Sequence, residues 1–148
     1  MAFFDTKMDN IEKAIKMLGE YEIFVGIEGG ENALIGFIHE NGSPLNNIPP
    51  RPFLHPGMER AQPKIKEKWR EAYKAAFEGK PKRVLAIFDE IGQICVDSIR
   101  EVVDEGNFVP LKDETVRRKM AQGLFLTPLV ATGLMVADIT YKVVKKNA

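Results

Sequence analysis

Cysteine and histidine are scarce in this sequence, and both shortages limit the chemistry that it can support. Of the 148 residues, one is a cysteine, Cys95, and two are histidines, His39 and His55. A single cysteine cannot form a disulfide within the chain, which excludes a disulfide-stapled secreted scaffold and favours a reducing compartment. One cysteine and two histidines at unrelated spacing also cannot supply a structural zinc site.

Long apolar runs and a leader pattern are missing as well. The longest nearly apolar run, residues 129–137, is far shorter than the about 20 residues that a membrane helix needs. Asp5 introduces charge after only four residues, which is unlike a signal peptide. The length and the 45% hydrophobic content predict one soluble intracellular domain, residues 1–148, that buries enough surface to fold without disulfides or metals.

Basic and acidic residues balance overall but are unevenly distributed along the chain. There are 21 Lys+Arg and 21 Asp+Glu, so the formal net charge is zero. Residues 64–83 nevertheless hold 8 basic and 3 acidic residues, whereas residues 84–116 hold 2 basic and 8 acidic residues. Two interpretations stay open: these segments are solvated faces of successive elements, or they are unlike surfaces that meet between neighbouring copies.

The first 40 residues predict a helix and a β-hairpin. Apolar residues at helical spacing follow Asp5 and Thr6, either of which can be the N-cap, and Gly19 is the stop signal. The β-branched and aromatic run of residues 21–27 predicts a strand. A glycine-rich turn separates it from a second predicted strand, residues 33–40, antiparallel to the first.

The pattern breaks in residues 41–52, where four prolines, a glycine and three asparagines predict an irregular loop. A loop of this length inside a compact domain usually signals function or disorder. We expect residues 41–52 and 106–128 to be the most mobile parts of an isolated copy. Phe53 and Leu54 are predicted to return the loop to the core.

Two long helices are predicted to form that core. Residues 82–105 have the clearest helical periodicity in the chain, and residues 57–78 have a second apolar stripe. A short basic helix at about 112–122 and a last strand over 137–144 follow. The second stripe consists of Ile65, Trp69, Tyr73, Ala76 and Phe77. The predicted fold class is therefore α+β, with a small antiparallel sheet (the hairpin plus the C-terminal strand) packed against helices in a single domain.

No arrangement of residues in the sequence supports catalysis. Cys95 lies on the stripe of the central helix and has no sequence neighbour that would stabilise a thiolate, so it is predicted to be a packing residue. His39 and Glu40, together with His55, offer a metal-binding hypothesis beside the proline-rich loop. Against it, a histidine in a strand is more often a hydrogen-bonded edge residue.

The basic segment 64–83 supports an alternative function in nucleic-acid binding. A basic stretch that contains aromatic residues can hold phosphates and stack bases. Against this hypothesis, Trp69 and Tyr73 fall on the apolar stripe, and interspersed glutamates lower the local positive charge. The basic residues of the segment are Lys64, Lys66, Lys68, Arg70, Lys74, Lys80, Lys82 and Arg83.

Five short motifs occur in one order over about residues 21–145. They are Val25-Gly26-Ile27, then Ala33 through Ile38-His39-Glu40-Asn41-Gly42, Ile48-Pro49-Pro50-Arg51-Pro52-Phe53-Leu54, Pro110-Leu111 with Thr115 and Lys119, and Pro128 to Leu134. In this order and with these gaps the chain resembles the tail-completion or head–tail joining (neck, minor tail) proteins of long-tailed bacteriophages. That family is related to phage virion morphogenesis proteins.

The resemblance implies a structural protein without catalytic residues, cofactors or bound metal. Such a protein assembles as a ring, typically a hexamer, that joins the head connector to the tail tube in the virion neck, after assembly in the host cytoplasm. Its implied partners are further copies of itself, a head connector or stopper protein, and a tail terminator or tail tube protein. DNA passes through the ring without specific recognition, and no membrane is involved.

The proline-rich motif supplies the candidate interaction residues. A loop stiffened by proline loses little entropy when it docks on a neighbour. We expect the contact to involve Pro49, Pro50, Arg51, Pro52 and Phe53. The planar guanidinium of Arg51 can hold a partner carboxylate. Equally, Arg51 can donate to a carbonyl of its own subunit, and the sequence leaves these two roles open.

Overall fold

Helices form most of the structure, a computed structural model that describes residues 2–124 and 134–147. The helices are α1 (Ala2–Gly19), α2 (Gly30–Asn41), α3 (Leu54–Phe77), α4 (Pro81–Glu105), α5 (Asp113–Ala121) and α6 (Leu134–Ala137), and the strands are β1 (Tyr21–Ile27) and β2 (Ile139–Lys145). A short 3₁₀ helix, Pro44–Asn46, lies between α2 and α3.

The two strands pair with each other in an antiparallel sheet. Next to the sheet, the backbone N–H of Lys146 donates to the carbonyl of Glu20 at 2.7 Å. In β2, Ile139 is buried and the next odd-numbered residues are half-buried, which matches the predicted face. The α+β class and its small antiparallel sheet, with the C-terminal strand, are confirmed.

The predicted hairpin is wrong, because residues 33–40 belong to α2. Gly36 is buried in this helix, and a Cβ added there would lie 2.7 Å from Cδ1 of Ile27. A helix places Gly36 toward that neighbour while Leu34 and Phe37 face solvent, 60% and 65% exposed. Gly42 ends the helix with φ 74°, and its N–H donates to the carbonyl of Ile38 at 2.7 Å.

The compact part of the chain formed by residues 2–25, 61–94 and 141–147 has its core along α4. Val84, Ile87, Phe88 and Ile91 are at most 3% exposed, as the periodicity of residues 82–105 predicts. The ring of Phe88 lies 6.1 Å from Tyr21 and 5.3 Å from Trp69, centroid to centroid. On the same helix, Gly92 makes room for Tyr141 of β2: a Cβ there would lie 2.2 Å from the ring. The stripe of α4 therefore faces the sheet, as predicted.

Residues 26–60 and 95–140 form a second compact unit, of which 125–133 lie outside the described residues. Its most buried side chains are Phe53, Cys95, Val96, Ile99, Val103 and Ile139. The burial of Phe53 confirms that this residue returns the loop to the core. The burial of Cys95, which raises the pKa of its thiol, fits a packing residue.

Three details differ from the expectations. Helix α1 begins at Ala2, so neither Asp5 nor Thr6 is its N-cap. Tyr73 and Phe77 are 47% and 52% exposed, because the buried face of α3 is formed instead by alanines and Ile65. Asn41 is the last residue of α2, and residues 42–52 are irregular apart from the 3₁₀ helix and the Ser43–Ile48 bridge. The predicted mobility stays a prediction, and residues 125–128 lie outside the described part. Within residues 2–124 and 134–147, no helix has an apolar stretch that could cross a bilayer.

Candidate interaction site

The predicted interaction motif, residues 49–53, is divided between the surface and the interior of the second unit. Pro50 and Pro52 are exposed, and Pro49 is half-buried. Between them Arg51 is only 6% exposed, and Phe53 is completely buried. The motif therefore presents two prolines to solvent, while its charged and aromatic members serve the subunit's own structure.

Arg51 makes its hydrogen bonds within the subunit. Its Nε donates to the carbonyl of Val109 at 2.7 Å, and its Nη2 donates to the carbonyl of Pro110 at 3.0 Å. The backbone N–H of Arg51 also donates to the carbonyl of His39 at 2.7 Å. Arg51 thus joins α2 to the segment after α4. Of the two roles that the sequence left open, the structure shows the donor to carbonyls of its own chain.

Glu40 has a structural role at the start of α3. Its Oε2 accepts the backbone N–H groups of Phe53 and Leu54 at 2.8 and 2.9 Å, and its Oε1 accepts that of His55 at 3.0 Å. The first N–H groups of a helix lack partners within the helix, and a carboxylate at this end also interacts favourably with the helix dipole. Glu40 therefore fixes the place where the proline-rich loop becomes α3.

His39 lies in α2, not in a strand, and has cationic neighbours. Burial, followed by the positive charges of Arg51 and Lys119, lowers the pKa of His39 below its ordinary value. Its Nδ1 is buried and has no hydrogen-bond partner among the residues that the structure describes. Burial and the charges of Arg51 and Arg118 similarly lower the pKa of Lys119.

The metal-binding hypothesis gains no support from this arrangement. Both oxygens of Glu40 accept backbone hydrogen bonds. His55 is exposed and lies 3.2 Å from Glu59, one turn further along α3. Among residues 2–124 and 134–147, no group of three or more potential ligands is close enough to hold a metal ion.

A short, hydrogen-bonded turn precedes the prolines. Ser43 and Ile48 form an isolated antiparallel bridge, and the 3₁₀ helix lies between them. Gly42 admits this geometry: its φ is 74°, and a Cβ would lie 2.8 Å from the carbonyl oxygen of Ile48. At the tip of the turn, the side chain of Leu45 is 98% exposed.

A cavity of about 330 Å³ opens beside the prolines. Its apolar lining residues are Pro50, Pro52, Pro56, Val102, Phe108 and Val109, and its polar ones include Arg51 and Asn107. Arg60 and Glu105 lie at the cavity as a bidentate ion pair, with Nη2 and Oε2 2.8 Å apart. This pairing raises the pKa of Arg60 and lowers that of Glu105. Apolar walls with a neutralised charged pair suit an apolar side chain better than a charged ligand.

The basic segment 64–83 is partly neutralised within the first unit. Lys68 lies 2.8 Å from Glu90 and 3.2 Å from Glu71, and Arg83 lies 2.9 Å and 3.3 Å from the same two carboxylates. Hydrogen bonding to Lys68 lowers the pKa of Glu90, and hydrogen bonding to Glu90 raises the pKa of Lys68. Within this segment, Lys80 also pairs with Glu78 at 2.8 Å.

Three further basic residues of α3 lie together on one outer face with two aromatic rings. Lys66, Arg70 and Lys74 are exposed and follow one another at intervals of four residues, which places them on one helix face. Tyr73 and Phe77 accompany them at the surface. Trp69 contacts both Tyr73 and Phe88, so it links this surface to the core as the predicted packing residue.

The sequence predicts the loop, but it does not predict the exposure of Leu45 or the cavity beside the prolines. One signal for Leu45 was present: a single leucine flanked by proline and asparagine in a turn has no neighbouring apolar residue to pack against. The cavity had no such signal, because its walls come from segments more than 40 residues apart. Comparisons with protein families, with curated proteins and with solved structures found no match to this chain.

Proposed function

We propose that this chain is a structural, non-enzymatic protein of the phage neck, which forms a ring, typically a hexamer, between the head connector and the tail tube. The observation that carries the proposal is the amount of apolar surface left uncovered. Twelve large apolar or aromatic side chains within the described residues are at least 42% exposed. Single exposed apolar residues are ordinary, but grouped ones mark surfaces that bind other proteins.

Seven of these twelve exposed residues are grouped on three helices. Met8, Ile11 and Ile15 follow one another along α1 at intervals of three and four residues. Leu34 and Phe37 lie three residues apart on α2, and Tyr73 and Phe77 lie four apart on α3. Residues at these intervals share a helix face. Each helix therefore presents a patch that a neighbouring subunit can cover.

The charge pattern supports contacts between unlike surfaces. The outer side of α3 carries the exposed basic residues Lys66, Arg70 and Lys74, whereas α4 exposes Asp97 and Asp104 in its second half. A ring requires that one face of a subunit meets a different face of the next, as in any heterologous interface. Complementary charge sets the register and the rate of such an association more than its affinity.

The proposal carries the partners that the resemblance implies. Beyond copies of itself, the ring would contact the head connector or stopper protein on one side and the tail terminator or tail tube protein on the other. DNA would pass through it without base-specific contacts. No catalytic step is assigned to any residue, and His39, Glu40 and Cys95 have the structural roles described above.

Disruption of the gene for this chain, in the phage that carries it, tests the proposal. We expect normal lysis with DNA-filled heads and separate tails visible by electron microscopy, and rescue of infectivity by the wild-type gene supplied in trans. Joined, infectious particles in the absence of the protein would refute a role in head–tail joining. Failure before DNA packaging would place the protein elsewhere in assembly.

A pair of variants on α2 makes the test specific to the exposed surface. Phe37→Asp removes a 65% exposed apolar ring and should melt within a few degrees of the wild type, because it fills no part of the core. It should nevertheless rescue infectivity poorly. Glu31→Gln, an exposed polar position in the same helix, is the matched control and should rescue fully. Equal rescue by both variants would mean that this patch is not an interface.

One observation favours nucleic-acid binding as a second candidate function. The exposure of Tyr73 and Phe77 beside Lys66, Arg70 and Lys74 creates a basic surface with accessible rings, which the sequence alone did not predict. Such a surface can contact phosphates and stack on unpaired bases. Against it, the paired Lys68, Lys80 and Arg83 reduce the number of available cations.

Fluorescence anisotropy with duplex and single-stranded oligonucleotides tests this second candidate. We expect weak binding, because few phosphates are contacted, and we expect it to be lost as salt rises, because those contacts are electrostatic. Arg70→Gln should weaken that binding, whereas Lys68→Gln, whose charge is already paired, should change it less. Tight binding that persists well above physiological salt would favour nucleic-acid binding over the neck function.

A further inference from the structure

Leu45 is exposed on a turn whose backbone conformation is restricted. It is the most exposed large apolar residue among those that the structure describes, at 98%. It is also the middle residue of the 3₁₀ helix Pro44–Asn46, and Pro44 before it and Asn47 after the helix have restricted backbones. Proline fixes one backbone angle of Pro44, and Asn47 is held in the left-handed region with φ 52°. A leucine on a fixed turn has already lost much of the entropy that binding would otherwise cost.

Hydrogen bonds hold the turn closed beneath Leu45. The N–H of Ser43 donates to the carbonyl of Ile48 at 2.9 Å, and the N–H of Ile48 donates back at 3.0 Å. Nδ2 of Asn46 donates to Oγ of Ser43 at 2.9 Å. Lys112, which directly precedes α5, donates from its Nζ to the carbonyl of Asn47 at 3.1 Å. The turn is therefore preorganised with its leucine directed to solvent.

The same unit contains a cavity that fits such a side chain. At about 330 Å³, it lies at the lower end of the roughly 300–1,000 Å³ typical of binding pockets, which is ample for one leucine. Three prolines form part of its apolar wall, together with Phe108 and Val109. Rings of proline do not rearrange, so this wall keeps its shape when it is empty.

The charges of the two surfaces are compatible with contact. Residues 43–48 carry no ionisable side chain, so docking of the turn would not desolvate any charged group of its own. At the cavity, Arg51 is bonded to carbonyls and Arg60 to Glu105. These cations need no further partner from an incoming segment. An uncharged turn with an apolar tip is therefore the kind of occupant that this cavity accepts at the lowest desolvation cost.

We propose that Leu45 of one copy inserts into the cavity between Pro50, Pro56 and Phe108 of a second copy. The occupant is thus a second copy of this chain, and the inference rests on the proposed ring assembly while naming its subunit contact. Leu45, the knob, is not one of the residues that line the cavity, so each copy can use its knob on one neighbour and its cavity on the other. Such a heterologous contact closes into a ring when the rotation between copies permits.

Thiol trapping between two single variants tests this contact even if association is weak. Leu45→Cys and Val109→Cys place thiols on the knob and on the wall of the cavity, and Cys95 does not compete because it is buried. The two variants, made with distinguishable masses, are mixed and oxidised gently. The control mixture replaces the first variant with Met120→Cys, an apolar residue of α5 that is also exposed, at 65%, and belongs to none of the three helix patches.

We expect the Leu45→Cys and Val109→Cys pair to form the mixed disulfide at least about tenfold faster than the control pair, because docking places the thiols together. Trapping should fall to the control rate when Val109→Cys is combined with Pro56→Trp, which fills the cavity. Equal rates for the two mixtures would overturn the proposed contact, whatever the oligomeric state of the protein.

Sedimentation of uncrosslinked protein gives an independent readout. Fully burying a leucine side chain is worth enough that Leu45→Ser should weaken self-association about ten- to hundredfold, while Met120→Ser, at an exposed position outside the proposed interfaces, should not. Rings that assemble equally well with Leu45→Ser would contradict the contact but leave the neck function standing. Specific trapping in a protein that proves dispensable for head–tail joining would instead refute the neck function and leave the contact standing.

Discussion

Arg51 allows the clearest quantitative prediction, since its bonds define the joint between α2 and the segment after α4. Arg51→Ala removes both side-chain hydrogen bonds, to the carbonyls of Val109 and Pro110. Bonds that involve a charged group contribute about 1.5–3 kcal/mol each when buried. Val109 and Pro110 are themselves exposed, so water can replace part of the loss. Relief of the repulsion between Arg51 and Lys119 also offsets some of it. We therefore expect a net destabilisation of about 1–3 kcal/mol.

Urea unfolding, followed by circular dichroism, measures this change as a lower midpoint with an unchanged slope. Arg70→Ala is the matched control: Arg70 is exposed on α3, and its removal should change the free energy of unfolding by less than about 0.5 kcal/mol. If Arg51→Ala unfolded at the wild-type midpoint, the two hydrogen bonds would not contribute to stability and the reasoning would fail.

This result also decides how the proline-rich motif can be tested for function. Arg51→Glu would place a carboxylate beside the carbonyls of Val109 and Pro110, at a position that is 6% exposed. A loss of infectivity would then not distinguish unfolding from a lost contact with a partner. Arg51→Glu therefore cannot separate a role in interaction from a role in folding. Exposed members of the same region, Leu45 and Pro52, are the suitable positions for functional variants.

Three further predictions concern the core and pH. In urea titrations, Ile91→Ala should lower the free energy of unfolding by about 2–5 kcal/mol, because Ile91 is 3% exposed. Ile94 is half-buried, so Ile94→Ala should lower it less. The reverse order of the two variants would mean that the core is misplaced. Gly92→Ala should lower the thermal midpoint, since its Cβ would meet the ring of Tyr141 at 2.2 Å, and an unchanged midpoint would contradict that packing. Burial and two nearby cations lower the pKa of His39 below 6.5, so the unfolded chain binds this proton more tightly. Stability should therefore fall as the pH drops from about 6.5 toward the lower folded pKa. His39→Gln should remove that loss of stability between pH 7.5 and 5.5. Identical pH profiles of stability for the variant and the wild type would contradict this role of His39.

The helices of the core were predictable because their periodicity is long. Residues 82–105 repeat apolar positions over several turns, and α4 buries that stripe. The eight residues 33–40 are too short and too uniformly apolar for such a test, so helix and strand could not be distinguished. The structure resolves the ambiguity through Gly36, whose lack of a side chain lets α2 approach Ile27 and Phe53. That approach depends on tertiary contacts that no local pattern records.

The candidate site was predictable in location but not in its contacts. Four prolines identified the loop, yet the partner carbonyls of Arg51 lie 58 and 59 residues away. Glu40 shows the same limit: its carboxylate caps a helix that begins 14 residues later. Tyr73 and Phe77 illustrate the opposite error, because helical spacing predicts a shared face but not whether that face is covered.

Electron cryomicroscopy of intact virions tests the proposed neck function, the central claim, most directly. The account predicts a single ring of this chain, expected to be a hexamer, at the junction between head and tail, with α1, α2 and α3 contributing to contacts between copies. Density for the chain anywhere other than the neck, or its absence from purified infectious particles, would contradict the claim.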